Sequence, residues 1–236
     1  MQQIPARDPE IKKLIRGLFI PEEGHKWGSF DYASQEPRWL VHYCATLTGI
    51  DRHPQIDEVV DNYRKGLADF HQMVADMAGI KRKEAKTVNL GIMYGMGKGK
   101  LANVMDIEVE EAEKLISTYN ERVPFLKALS EKAMNRAKDH GVIRTWLGRK
   151  CRFDMYEPVS FGFNKALPMK EAIAEYGSIG RIRRAYTYKA LNRLIQGSSA
   201  DQTKKAMVEC YKEGLCPTLT VHDELCFNIE NQKTSG

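Results

Sequence analysis

Hydrophobic and polar positions along this 236-residue chain change period several times, and the changes mark out its elements. Trp27 to Tyr32 has the composition of a short strand ending at Asp31. Pro37 follows near the first turn of a helix through Trp39-Leu40-Val41-His42-Tyr43, where a missing N–H costs little. From Gly66 to Met77 the residues Leu67, Phe70, Val74 and Met77 recur at helical spacing. A second helix is predicted over Lys81 to Tyr94, and two amphipathic ones over Val109–Tyr119 and Pro124–Lys138. Val142–Phe153 has the pattern of a hairpin turning at Leu147-Gly148. The stretch 157–180, with Pro158 and Pro168, gives no clear period. A long helix is predicted over Ala185 to Glu213, carrying the small residues Gly197-Ser198-Ser199-Ala200. Thr218–Val221 and Leu225–Ile229 then flank His222-Asp223 as a second hairpin. No composition shift marks a linker, so the pattern predicts one compact unit with two lobes.

Composition narrows the class. Apolar residues are 42% and charged ones 28%, which fits a globular chain able to bury a core. A net charge of +5 permits a nucleic-acid partner without requiring one. The five cysteines include no CxxC pair, so zinc sites and a disulfide framework are disfavoured and a reducing compartment is expected. No apolar run has the length of a membrane span, so no membrane partner is expected.

Three groups of residues carry chemistry. On the helix from Lys81, the residues Arg82, Lys86, Leu90 and Tyr94 lie four apart. Each step of four turns a helix by about 400°, so they form one slowly drifting stripe. Cations at one end and an aromatic at the other suit a nucleotide, phosphates against the former and base against the latter. The plain alternative is a solvated basic helix. Asp31 at a strand end and Asp223 at a hairpin tip could converge on metal, since Mg²⁺ takes oxygen ligands and keeps several waters. The plain alternative there is two turn aspartates. His71 could donate to phosphate, and Asn192 and Gln196, four apart on the long helix, could read a nucleic-acid groove through their amides. Gly97-Lys98-Gly99-Lys100 lacks the Walker pattern and is read as a basic loop.

Taken in order, these motifs resemble those of the family A (polymerase I type) DNA polymerases, most closely their bacteriophage-like branch. Asp31-Tyr32-Ala33-Ser34-Gln35-Glu36-Pro37-Arg38 resembles motif A. Arg82, Lys86, Leu90 and Tyr94-Gly95 resemble motif B, and Val221-His222-Asp223-Glu224 resembles motif C. Gln3-Ile4-Pro5-Ala6-Arg7, Asp69-Phe70-His71, Thr145-Trp146-Leu147-Gly148-Arg149 and Asn192-Arg193-Leu194-Ile195-Gln196-Gly197 are family-like as well.

The resemblance implies an α+β fold: a right-hand polymerase palm, with a small antiparallel sheet backed by helices, plus helical fingers. Residues 1–50 would be palm with motif A, 51–140 fingers with motif B, and 141–236 palm with motif C. The implied activity is template-directed DNA synthesis in phage-type replication, in the cytoplasm of a host cell. Asp31, Asp223 and the carbonyl of Tyr32 would hold two Mg²⁺ ions. Arg82, Lys86 and His71 would hold the triphosphate, with Lys86 protonating the leaving pyrophosphate. Tyr94 would stack near the templating site, and Glu36, hydrogen-bonded to Tyr94, would exclude a ribose 2′-hydroxyl. His222 and Glu224 would sit by the primer terminus, while Arg7, Asn192 and Gln196 would contact primer–template DNA.

Departures from the family pattern carry their own expectations. Ala33-Ser34-Gln35 stands for the commoner Ser-Gln-Ile, and Pro37 for Leu, with Asp31, Glu36 and Arg38 in register. Leu90 stands where Phe or Tyr is usual, which predicts altered dideoxynucleotide discrimination, speed or fidelity. No thumb or 3′–5′ exonuclease is expected within these residues. The expectation is a fragment or split piece whose thumb and exonuclease come from a separate chain, with weak and salt-dependent grip on DNA of its own. The competing readings are a non-catalytic DNA- or partner-binding remnant and a single-subunit RNA polymerase, which Glu36 and the Val-His-Asp-Glu tetrad oppose.

Overall fold

The computed structural model describes residues 9–48, 52–67, 69–93, 95–160, 162 and 165–231. Arg7 and Tyr94 lie outside them, and so do the roles assigned to those two residues. The described residues fall into two compact units, one within Met1–Gln35 and Ser199–Gly236, the other Glu36–Ser198. The chain enters, leaves and re-enters the first of them.

The first unit carries helix α1 (Pro9–Arg16) and a three-stranded antiparallel sheet. Its strands are β1 (His25–Asp31), β7 (Pro217–Val221) and β8 (Glu224–Glu230), in the order β1-β8-β7. Both expected strands of the C-terminal hairpin form, and so does the strand that ends at Asp31. Register sets the site: Asp31 pairs with Glu224, and Val221 pairs with Glu224 across the turn. Only His222 and Asp223 are left to close the hairpin, and His222 takes a left-handed backbone with φ +55°. Two-residue hairpins need such a conformation because it matches the right-handed strand twist.

The second unit is mainly helical. Its helices include α3 (Gln55–Arg64), α4 (Phe70–Ala78), α5 (Arg82–Met93), α6 (Lys98–Met105), α7 (Val109–Arg122) and α8 (Pro124–His140). Helices α2 (Gln35–Ala45) and α10 (Ala190–Lys212) contribute residues to both units. The core of Glu36–Ser198 is built from Leu40, Ile56, Val74, Val88, Tyr119, Phe125, Leu126 and Leu191, all essentially inaccessible to solvent.

Several sequence expectations shift. Helix α4 begins at Phe70, not Gly66, and Leu67 is 75% exposed ahead of it. The reason is Asp69, whose carboxylate accepts from the backbone N–H groups of His71 and Gln72 and so caps the helix there. Gly97-Lys98-Gly99-Lys100 is not a loop: Gly97 precedes α6, and the other three form its first turn. Helix α3 was not foreseen. The stretch without a period contains a small sheet, ordered β5-β4-β6, from β4 (Met155–Pro158), β5 (Leu167–Pro168) and β6 (Ile182–Arg184), with helix α9 (Met169–Tyr176) beside it. Strands this short carry too few residues to show an alternation. The long helix starts at Ala190 after a 3-10 turn, Thr187–Lys189.

The first hairpin, β2 (Val142–Arg144) and β3 (Lys150–Arg152), forms as expected. It is tied to the start of α10. Arg149 Nη2 donates to the Gly197 carbonyl at 2.7 Å, and Arg193 Nη1 to the Arg152 carbonyl at 2.7 Å. The Trp146 N–H donates to Ser198 Oγ, which also bonds the Tyr43 hydroxyl at 2.6 Å. Gly197 permits this approach, since a Cβ there would stand 2.6 Å from Thr145 Cγ2.

Candidate active site

In the first unit, the pairing of β1 with β8 brings the two aspartates together. The Tyr32 N–H donates to the Asp223 carbonyl at 3.4 Å, and the Asp31 and Asp223 carboxyl groups stand near enough for the charge of one to oppose ionisation of the other. The Asp31 carboxyl is held above its ordinary range. Loss of water contact is the largest cause, followed by the negative charges of Asp223 and Glu224. Asp31 borders an open, mainly apolar cavity of about 340 Å³ lined by Phe30, Leu225, Phe227 and Ile229 from the sheet and Ala206 and Cys210 from α10. Glu224 accepts from Ser29 Oγ and from Cys226 Sγ.

These carboxylates fit hard divalent cations. Two aspartates whose charges oppose one another, with a third carboxylate alongside, form an oxygen-only donor set whose repulsion a cation relieves. Among the described residues, no group of three or more His, Cys, Asp or Glu side chains surrounds a common metal position. The residues expected to hold metal are thus a pair of carboxylates, Asp31 and Asp223, a set that would need water and substrate oxygens for the rest.

In the second unit, the stripe on α5 has the expected faces. Arg82 and Lys86 are exposed and Leu90 is partly buried, while Ala85, Val88 and Asn89 are buried on the other side. Arg82 is held by Asp69, through Nε–Oδ2 at 2.8 Å and Nη2–Oδ2 at 2.6 Å. Desolvation opposes ionisation of Asp69, but the Arg82 partner and the two backbone donors outweigh it, and the carboxyl sits below its usual range. One carboxylate thus caps α4 and positions the first cation of α5.

His71 stands at the start of α4, half-buried, with Nδ1 3.0 Å from Asn89 Nδ2. The Tyr119 hydroxyl, fully buried, donates to Asn89 Oδ1. An amide nitrogen only donates, so Nδ1 of His71 is the acceptor and the ring proton sits on Nε2. Burial, opposed by Asp69, and the charges of Lys86 and Arg82 push the His71 ring below its ordinary value. His71 is therefore a neutral donor at neutral pH, not a cation. The sequence reading missed Asn89 and Tyr119. Their only signal was a polar residue, Asn89, on the face of α5 that carries Ala85 and Val88.

The remaining residues fall as follows. Glu36 lies in the first turn of α2, and its expected partner Tyr94 is outside the described residues. Asn192 is partly buried and Gln196 exposed on the first turns of α10. His222 is exposed at the hairpin tip.

The family model described as DNA polymerase family A matches residues 1–235. The chain belongs to DNA polymerase family A. This family A chain is 37% identical to the DNA-directed DNA polymerase of Pseudomonas phage M6, a match covering 100% of the chain and 38% of that protein. It is 32% identical to the DNA polymerase I of Rhizobium leguminosarum, over 98% of the chain and 22% of that protein. Among solved structures, it is similar to the POL domain of Pol1 from M. smegmatis in complex with DNA primer-template and dNTP. There the TM-score is 0.73 at 26% identity, covering 98% of this chain and 38% of that one. The chain thus spans less than two fifths of the length of these relatives. The match to a solved polymerase domain bears out the α+β fold, helices with small antiparallel sheets. Among the described residues, no helix is long and apolar enough to cross a membrane.

Proposed function

We propose that this chain carries out template-directed nucleotidyl transfer, adding deoxynucleotides to a primer 3′-hydroxyl. The observation that carries the proposal is the pairing of β1 with β8, which brings Asp31 beside the hairpin tip that carries Asp223, with the Tyr32 N–H bonded to the Asp223 carbonyl. Asp31, Asp223 and the Tyr32 carbonyl are the groups that would hold two Mg²⁺ ions. Bound there, the ions would lower the pKa of the attacking hydroxyl and offset charge on the leaving oxygen.

The chain's own residues do the positioning. Arg82 and Lys86 bind the triphosphate, and His71 donates its Nε2–H to a phosphate oxygen. Lys86, exposed on α5, delivers the proton to the leaving pyrophosphate. Leu90 packs against the sugar and sets dideoxynucleotide discrimination. Glu36 and Tyr94 govern the sugar and the templating base. Asn192, Gln196 and Arg7 hold primer–template DNA, with His222 and Glu224 at the primer end. In this reading 1–50 and 141–236 are palm and 51–140 fingers. The partners are primer–template DNA, dNTPs and a polypeptide supplying duplex grip and proofreading. The setting is a phage-infected host cytoplasm, in line with the similarity to a phage polymerase.

The test is single-nucleotide primer extension at low salt with Mg²⁺, comparing the wild-type chain with Asp31→Asn. Extension by the wild type and its loss in the folded variant is the expected result. Equal extension by both removes Asp31 from the chemistry. A folded wild type that extends nothing overturns catalysis by this chain alone.

A further inference from the structure

Motif A departs from the commoner pattern at Gln35, which stands where an isoleucine is usual, and its amide takes no part in the chemistry proposed above. The fold buries that amide. Asp31, Ala33 and Ser34 are exposed and Tyr32 is half-buried, whereas Gln35 is only 5% exposed. A buried amide is costly unless it is hydrogen-bonded, so the partner it finds is informative.

That partner is Thr203 on α10, itself buried, whose hydroxyl accepts from Gln35 Nε2 at 3.2 Å. The same hydroxyl donates to the Ser199 carbonyl at 3.2 Å. A hydroxyl has one proton and two lone pairs, so both bonds form at once. The result is a buried strut from the start of α2 to the backbone of α10, joining residues 168 positions apart. Gln35, Ser199 and Thr203 all belong to the unit that holds Asp31 and Asp223.

A short turn, 32–34, separates Asp31 from Gln35. Ser34 in that turn holds φ +55°, a left-handed conformation that persists in a residue other than glycine where its surroundings impose it. Contacts hold the turn on both sides of Ser34. Ahead of it, the Tyr32 N–H donates to the Asp223 carbonyl at 3.4 Å, and directly after it the Gln35 amide is tied to Thr203. An isoleucine at 35 would pack without direction, whereas a hydrogen bond has a preferred distance and angle and so fixes where the turn ends.

We propose, resting on the metal reading of Asp31 and Asp223, that Gln35 and Thr203 are positioning residues for the divalent cation. They hold the 32–34 turn, and with it Asp31 and the Tyr32 carbonyl, in the arrangement that accepts the ion. A turn that is already fixed does not have to be ordered when the ion arrives, so the strut raises affinity by removing that entropic cost.

The experiment titrates Mn²⁺ into the folded chain and follows the free ion by electron paramagnetic resonance. The relevant site is the binding that Asp31→Asn loses. Gln35→Met keeps the side-chain length and strands nothing, because Thr203 still donates to Ser199. Thr203→Val keeps the shape and removes the hydroxyl. Each is expected to weaken the Asp31-dependent binding about fivefold, the scale of one hydrogen bond. Thr203→Ser retains the hydroxyl and is expected within about twofold of wild type. The double variant Gln35→Met/Thr203→Val is expected to bind no worse than either single one, since both remove the same bond. Hydrogen exchange of the Tyr32 N–H supplies a second measurement, made without metal. It is expected to quicken about fivefold in both single variants and to keep the wild-type rate in Thr203→Ser. Wild-type Mn²⁺ affinity in folded Gln35→Met and Thr203→Val overturns the proposal, as do additive losses in the double variant or unchanged exchange. Loss in Asp31→Asn with none in the strut variants leaves the metal reading standing and removes the strut alone. Equal binding by wild type and Asp31→Asn sinks the metal reading, and the strut's part in metal binding with it.

Discussion

The side-chain amide of Asn89 donates to Nδ1 of His71 across 3.0 Å. The buried Tyr119 hydroxyl donates to the oxygen at the other end of that amide, and with the amide so oriented the ring proton of His71 sits on Nε2.

Nitrogen NMR of the wild-type chain is expected to show His71 protonated at Nε2 alone at pH 7.5. Asn89→Leu removes the donor and strands the Tyr119 hydroxyl, at a cost of about 1–3 kcal/mol in stability. Adding Tyr119→Phe is expected to recover part of that loss without restoring the single tautomer. Denaturant melts measure the coupling, and strict additivity of the two changes would show that the residues act independently.

His71 also gives the fold a pH signature. Its folded ring is held below the ordinary value near 6.5, mainly by burial. Below that value the unfolded chain takes up a proton that the folded chain resists, so stability falls as the pH drops through about 6.5 and levels off beneath the folded pKa. Above it the group contributes no slope. The melting temperature of wild type relative to His71→Gln is expected to decline between about pH 7 and pH 5. A difference that stays constant over that range would contradict a depressed ring.

Removal of one aspartate tests the carboxylate pair from the other side. Asp223→Ala is expected to cut nucleotide incorporation by about 10³-fold, the scale of several kcal/mol of lost charge stabilisation. Melting should be unchanged or slightly higher, because a like charge beside Asp31 and Glu224 has gone. Turnover close to wild type would remove Asp223 from the chemistry.

Glu36→Ala addresses the sugar. Selection against ribose is a difference of affinities, and deletion of a steric clash worth about 1.4 kcal/mol shifts it tenfold. Ribonucleotide incorporation relative to deoxynucleotide is expected to rise by at least about tenfold in competition assays. An unchanged ratio would assign the selection to another residue.

The motifs were readable because each is local. Asp31 ends a strand, His222-Asp223 closes a two-residue turn, and Arg82, Lys86 and Leu90 share a helix face, all set by short-range periodicity and turn chemistry. The boundary of α4 was misread because Leu67 extends the apolar spacing, whereas the cap at Asp69 decides where the backbone can start. The β5-β4-β6 sheet went unread because strands of two to four residues hold no measurable period.

By itself, the sequence determined the two hairpins, most of the longer helices, the family and the identity of the charged residues. Only the tertiary structure decided who faces whom: Asp31 against Asp223 across 192 positions of chain, Asn89 and Tyr119 behind His71, and Gln35 against Thr203. The reason is physical. Periodicity reports which face a residue takes on its own element, whereas pairing register and burial depend on residues far away in the chain. Those distant neighbours set the charge, tautomer and solvent exposure on which chemistry depends.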